Sequence, residues 1–436
     1  MKKLFVFTLS LILFLFSNKP AFAVVDPLAV SNNKFGIHIS NENDLTNASK
    51  LVNSTGGDWG YITIVITQGE RDHDRWQQVF DQMRRLHLIP IIRIATKAQG
   101  DTWQKPDAAE INNWIAFLNS LNWVVQNRYI VIGNEPNLDN EWGGKSDATG
   151  YAQYLIDFSQ KLKSASGDFF VLPAGLAPEP TEFRFLRAML KAQPDVFDHI
   201  DGWTSHSYPT ASIALYKDEL KAINKDLPVF ITETGWSNQK LSEDDIGNKL
   251  VSAYQNDWTD PKIVAVTPFI LNYPQPPFGV FSWEKSDGTF YSFYTTVQNL
   301  NKIKGEPVQI VKGDILGALA QPIIPVGSDF LGAILAKNTG QSIWSSKDIL
   351  IGSETGDVPV QSITFQDIEP NKLGLIIFKA ASTPNTGIYS KSLFLTNERN
   401  NRITHSFPID AYITKIDQQK IQDFFGGLLQ HLNLSR

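Results

Sequence analysis

From residue 35 to about residue 304 the chain alternates eight times between a short apolar run and a longer amphipathic one. The short runs, at 35–40, 59–67, 89–96, 129–134, 169–174, 202–206, 229–233 and 263–271, are rich in β-branched and aromatic residues and read as buried strands. The longer ones, at 44–53, 72–87, 107–122, 149–164, 181–192, 217–224, 241–258 and 292–304, read as helices. In the second of these Trp76, Val79, Phe80, Met83 and Leu86 recur at three and four residues, while Arg84 and Arg85 fall outside that stripe. Asp72 and Asp107 stand where helix N-caps belong. Eight strand-then-helix units over roughly 270 residues match a (β/α)8 barrel, an α/β domain over 34–305. A doubly wound open sheet is the rival. It usually has fewer units and a glycine-rich phosphate loop, and neither G-x-G-x-x-G nor a P-loop occurs here.

Beyond residue 305 the rhythm changes. Strand-like runs at 308–311, 330–336, 362–365, 373–378, 390–395 and 404–413 are separated by turn residues such as Asn338-Thr-Gly340, which predicts a β-sandwich over 306–415. Residues 416–436 read as an amphipathic helical tail. At the other end, Lys2 and Lys3, the apolar run 4–16 and Ala21-Phe22-Ala23 form a charged, apolar and small-x-small series, which predicts a signal peptide cleaved after Ala23. The rival is an uncleaved membrane anchor. Export to the medium or the cell envelope follows on either reading.

Losing Lys2, Lys3 and Lys19 takes the formal net charge from −6 to −9. A mildly acidic protein is a poor match for nucleic acid. There is no cysteine, which excludes disulfides, thiolate metal sites and cysteine nucleophiles. Seven histidines show no metal-binding spacing, so neither metal nor cofactor is expected. Eleven tryptophans and twelve tyrosines fit stacking on sugar faces, although most such rings in any protein belong to the core.

A barrel keeps its chemistry at the C-terminal ends of its strands. Polar residues collect there: Arg93 in the third, Asn134 and Glu135 after the fourth, His206 and Tyr208 after the sixth, Glu233 closing the seventh. Taken singly, each glutamate has a plain reading as a rim charge, Arg93 as a neutraliser, and His206 as a core histidine. Two glutamates on strands at opposite sides of one mouth are harder to dismiss, and a carboxyl pair is what glycosidic bond cleavage needs. Trp236, Trp283 and Trp142 are candidates for sugar stacking, with barrel-top packing as the alternative for each. His38, in the first strand, is a weaker candidate.

Asn134-Glu135 after strand four, Glu233 in Ile231-Thr-Glu-Thr-Gly-Trp236 and the pair His206 and Tyr208 together resemble the clan A glycoside hydrolases over residues 34–305. Cellulase-like, β-xylosidase-like and β-1,3-glucanase-like members are equally compatible. The resemblance implies retention of anomeric configuration, with Glu135 as acid/base and Glu233 as nucleophile. It also implies Asn134 on the sugar 2-hydroxyl, and a carbohydrate as substrate. The C-terminal region is similar to Ig-like accessory domains carrying Asn-Thr-Gly and a downstream tryptophan, here Trp344. The competing expectation is a catalytically silent carbohydrate-binding or cell-surface protein on the same scaffold. Sugar, linkage, endo or exo action and oligomeric state have no signature in these residues.

Overall fold

The computed structural model describes residues 24–415; the expected leader and C-terminal tail lie outside the described residues. The chain divides into two compact units between Val308 and Gln309.

In the first unit the strands are β1 (Gly36–Ile39), β2 (Gly60–Thr67), β3 (Leu88–Ala95), β4 (Arg128–Ile132), β5 (Phe169–Pro173), β6 (Trp203–His206), β7 (Val229–Glu233) and β8 (Ile263–Val266). Each is followed by a helix: α1 (Leu45–Val52), α2 (His73–Arg85), α3 (Ile111–Ser120), α4 (Ala148–Ala165), α5 (Glu182–Ala192), α6 (Tyr216–Ile223), α7 (Glu243–Gln255) and α8 (Ser292–Gln298). β1 to β5 form one parallel sheet in sequence order, and β6, β7 and β8 form another. A bridge between Phe35 and Val266 joins β8 to the start of β1. Between β5 and β6 no ladder forms; Asp201 N donates to Val171 O at 2.9 Å and Thr204 Oγ1 to Pro173 O at 2.5 Å instead.

The rings of Tyr61, Tyr129, Phe170 and Phe230 meet at centroid distances of 5.0 to 6.3 Å. They come from β2, β4, β5 and β7, and strands that are not neighbours can share contacts only across a common interior. Helix starts follow local chemistry: Asp72 accepts from Arg75 N, Asp147 from Gly150 N and Ser242 from Asp245 N, each satisfying a first-turn N–H.

Two expected elements are shorter than their apolar runs. β8 ends at Val266 rather than 271, because the following amides leave the ladder: Phe269 N donates to Thr234 O, Ile270 N to Phe281 O and Leu271 N to His38 O. α8 ends at Gln298 rather than 304. Lys302 Nζ folds back there and donates to the carbonyls of Val297, Gln298 and Leu300, capping the helix end. A hairpin after β3, Ala98–Gln99 with Thr102–Trp103, was not expected.

At the N-terminal ends of the strands Asn127, just before β4, clasps the incoming chain. Val25 N donates to its Oδ1 at 2.9 Å and its Nδ2 donates to Val25 O at 2.7 Å.

Behind β6, on the helix side, Glu182 of α5 and Glu219 of α6 are almost wholly buried. Trp203 Nε1 donates to Glu219 Oε2 at 2.9 Å. Burial pushes Glu182 up to about 9, and the neighbouring Glu219 adds to it. Burial raises Glu219 as well, against bonds from Ser205 and Trp203. The two carboxyls therefore hold a proton between them at neutral pH.

The second unit contains eight strands among its described residues: β9 (Gly313–Ala320), β10 (Ile323–Pro325), β11 (Asp329–Asn338), β12 (Ile349–Ser353), β13 (Val360–Thr364), β14 (Leu373–Ala381), β15 (Gly387–Asn397) and β16 (Phe407–Thr414). They form two four-stranded sheets, β9-β11-β14-β13 and β10-β16-β15-β12, around Phe330, Ile334, Trp344, Ile376, Leu393 and Ile409. The expected strand at 308–311 is absent. Ile310 instead donates to the Gln341 side chain and accepts from Gln341 N, so its backbone joins no ladder. Asn338 builds its own turn, accepting from Gly340 N and donating to Ser342 O and Ile368 O.

Candidate active site

The C-terminal ends of β3, β4, β6 and β7 bring Arg93, Asn134, Glu135, His206, Tyr208 and Glu233 into one cluster. β4 is left through Gly133 at φ +92°. Glu135 itself sits at φ +35°, a region that side-chain-bearing residues rarely adopt and that recurs at functional sites. Its amide is held by Gly175 O at 3.0 Å.

Glu233 owes its direction to a bulge. Ser205 pairs with Ile231, but the next residue, His206, pairs with Glu233, so one residue of β7 is skipped. Phe230 points into the shared interior. Strict alternation would turn residue 233 away from it; the extra residue restores the carboxylate to that side.

Glu135, His206 and Glu233 each offer a polar atom within 4.8 Å of the others. His206 Nδ1 lies 2.8 Å from Glu135 Oε1 and 3.8 Å from Glu233 Oε2. Arg93 Nη1 donates at 2.6 Å to both Glu233 Oε1 and Asn134 Oδ1. Tyr208 Oη donates to Glu233 Oε2 at 3.2 Å. Gly175 leaves room for this arrangement, since a Cβ there would overlap the His206 ring.

The electrostatics separate the groups. Burial works to raise Glu233, but His206, Arg93 and the Tyr208 hydroxyl outweigh it, so its carboxyl is held below the usual range. Burial lowers His206, yet the Glu233 charge and the Glu135 hydrogen bond turn the net direction upward. His38 is pushed down to about 3 by burial and by Arg93, and is neutral. Among the described residues neither of its ring nitrogens has a hydrogen-bond partner. The three-residue set has the atom types of a metal site. Its nitrogen, however, already shares a proton with Glu135, and Arg93 already neutralises Glu233, so the electrostatics favour protons over a metal ion.

The tryptophans expected to stack on sugars are engaged otherwise. Trp283 is 3% exposed and packs edge-on against Phe293, a core ring rather than an open platform. Trp236 is half-buried against Trp258. Trp142 is buried against Tyr151 and Tyr154.

One participant escaped the sequence reading. Glu141, in a single turn after β4 (Asp139–Glu141), comes close enough to Asn134 to accept from its amide. Burial pushes its carboxyl up to about 7, against the pull of Arg93 and Asn134. No strand or helix period flags such a position; only the loop's acidic and aromatic content, Asp139-Asn-Glu-Trp142, hints at it.

No known family profile matches the chain, and no curated protein sequence matches it. Among solved structures it is similar to a GH39 β-xylosidase from Caulobacter crescentus, with 14% identity, 81% of this chain and 98% of that one covered, and a TM-score of 0.49. A GH30 endoxylanase from Clostridium papyrosolvens gives 12% identity, 81% and 98% coverage and a TM-score of 0.41. A β-mannanase from Thermomonospora fusca gives 16% identity, 62% and 90% coverage and a TM-score of 0.43. At these values the site's own geometry carries the functional reading.

Proposed function

We propose that the protein is a retaining β-glycoside hydrolase, that its eight parallel strands act as one (β/α)8 barrel, and that it cleaves a β-linked polysaccharide or its oligomers. One observation carries this reading. Two carboxylates at the ends of β4 and β7 present oxygens within 4.8 Å of each other, with unlike partners. Retaining enzymes hold their carboxyls about 5–5.5 Å apart, inverting ones about 6.5–9.5 Å.

Glu233, kept ionised by Arg93, His206 and Tyr208, attacks the anomeric carbon. Glu135 gives the leaving oxygen the proton it shares with His206, and then takes one from the incoming water. The water attacks the glycosyl-enzyme ester and frees Glu233. Asn134, with its Oδ1 engaged by Arg93, is placed to contact the sugar 2-hydroxyl.

The signal-peptide pattern supports export to the medium or cell envelope, and the two sheets of the second unit support an Ig-like accessory domain. The test is hydrolysis of aryl β-glycosides, and of β-linked xylan, mannan and glucan, beside Glu135→Gln and Glu233→Gln. The anomer first formed is read by NMR. A β-anomer as first product supports the reading, and an α-anomer defeats the double displacement. A wild type as inert as both variants defeats the hydrolase and leaves the carbohydrate-binding alternative.

A further inference from the structure

The outer face of the sheet β9-β11-β14-β13 is aliphatic where the solvent side of an antiparallel sheet is ordinarily polar. Leu335 stands between Leu375 of β14 and the bulge at Leu316 and Gly317 in β9. The next row holds Leu319, Ala333 and Ile377, with Leu331 and Leu373 at opposite corners. The leucine and isoleucine side chains among these are between 37% and 65% exposed, while the alternate residues Phe330, Ile334, Ile376 and Phe378 fill the core. A contiguous aliphatic array on this scale is uncommon on a monomer and marks a surface with a partner. None of these side chains is aromatic, so the face offers no flat platform for a sugar ring. The opposite sheet exposes a smaller row, Ile323, Tyr412 and Ile388, and the next pair along it, Asp410 and Ser390, is polar.

An apolar partner for this face is tethered beside it. β16 ends at Thr414, whose carbonyl accepts from Val326 N at 3.0 Å. Asp329 opens β11 just downstream, and Ser382, the residue after β14, donates from its amide to Ser328 O at 2.9 Å. The chain therefore leaves β16 at the corner where both central strands of the aliphatic face have an end. Beyond it, outside the described residues, Ile421, Phe424, Phe425, Leu428, Leu429 and Leu432 recur at three and four residues, the period of one helix face. A helix over 421–432 would be about 18 Å long, enough to cover the run from Leu331 to Leu335, about 13 Å of strand. The connecting residues 415–420 reach about 20 Å, and the sheets of a sandwich lie about 10 Å apart, so the tether can round the edge. Gly426 and Gly427 inside the stripe disfavour an isolated helix of this length, so the segment needs a surface on which to form one. A tethered segment acts at an effective concentration on the order of millimolar, far above that of a second copy in dilute solution.

We propose that residues 421–432 form an amphipathic helix that lies on the outer face of β9, β11 and β14 and covers its leucines. The tail is then a built-in lid of the second unit, and it keeps an aliphatic sheet face from meeting another copy of the chain. Nothing in this proposal depends on the glycosidase reading.

The chain has no cysteine, so an introduced thiol reports without background. Leu375→Cys in the full chain is compared with the same variant stopped after Lys415, and with the full chain also carrying Phe425→Asp and Leu428→Asp. Thermal midpoints verify the fold of each. Modification by a maleimide is expected to run at least tenfold faster when the tail is removed or charged. In the full chain Leu375→Cys is also paired in turn with Phe425→Cys, Leu428→Cys and Leu429→Cys, and at least one pair should close an intramolecular disulfide at a rate independent of protein concentration. Equal maleimide rates in the folded proteins overturn the proposal, as does failure of all three pairs to close. Protection in the full chain that fades on dilution, with the mass by light scattering falling from dimer to monomer, gives the face to a second copy and overturns it too. So does protection that appears only with phosphatidylcholine vesicles, which gives the face to a lipid surface.

Discussion

Among the described residues two close carboxyl pairs lie on opposite sides of β6, and they are built in opposite ways. Glu135 and Glu233, in front of the strand, share their space with Arg93, the Tyr208 hydroxyl and a His206 whose basicity is raised. Behind it, Glu219 accepts from the neutral donors Trp203 and Ser205, with the His206 charge as the weakest pull, and Glu182 faces Glu219. Burial acts on both. In front, cations overcome it and Glu233 stays charged; behind, nothing does and a proton is retained. Two like charges at short range need either a counter-ion or a proton. On the proposed function the first solution leaves a nucleophile, and the second makes an inert brace between two helices.

The largest expected effect comes from removing the front charge. Glu233→Gln should lower kcat/KM on an aryl β-glycoside by on the order of 10⁴-fold, and Glu135→Gln by about 10²–10⁴-fold. Glu219→Gln, behind the strand, should change turnover far less. Equal losses in front and behind would erase the distinction. Next comes the counter-ion. Arg93→Met leaves the buried Glu233 with only His206 and the Tyr208 hydroxyl, which should cost at most about 3–5 kcal/mol in urea unfolding at pH 7. It should also move the acid limb of activity to higher pH, since Glu233 would then hold its proton more tightly.

Gly175→Ala should act through geometry alone. The new Cβ displaces the His206 ring from Glu135, and a shift of about 1 Å should cost about 10²-fold in kcat with little change in KM. The smallest effect tests the rear pair by its pH dependence. A carboxyl raised on folding stabilises the fold fully below its unfolded value, near pH 4.5, and loses that contribution as pH rises towards about 9. Stability of the wild type should therefore fall from pH 5 to pH 9, with a slope of at most about 1.4 kcal/mol per pH unit for one proton. Glu182→Gln should flatten that slope. Glu233 works in the opposite sense: its lowered value gives stability above about pH 4.5 that is lost as pH falls.

How much of this was legible in the sequence depended on distance along the chain from a buried strand. Arg93, Asn134, Glu135, His206, Tyr208 and Glu233 all lie in or just beyond an apolar run, where alternation and a sudden change to polar residues mark them. Element limits were less legible: beyond Val266 the amides bond to remote segments, and beyond Gln298 the chain folds back so that Lys302 caps the helix end. Glu141 and the Glu182–Glu219 pair were hidden for a related reason. Their neighbours come from a glycine-turned loop in one case and from two different helices in the other. Trp283 and Trp236 sit near strand ends as expected, yet packing against Phe293 and Trp258 draws their rings away from the role suggested for them.

The clasp between Asn127 and Val25 fixes where the chain enters the first unit, at the pole opposite the carboxylates. A handle joined upstream of Val24 would therefore hold the first unit by the end remote from its carboxylates. On the proposed function, the carboxylates would then be turned away from the attachment, towards long glycans.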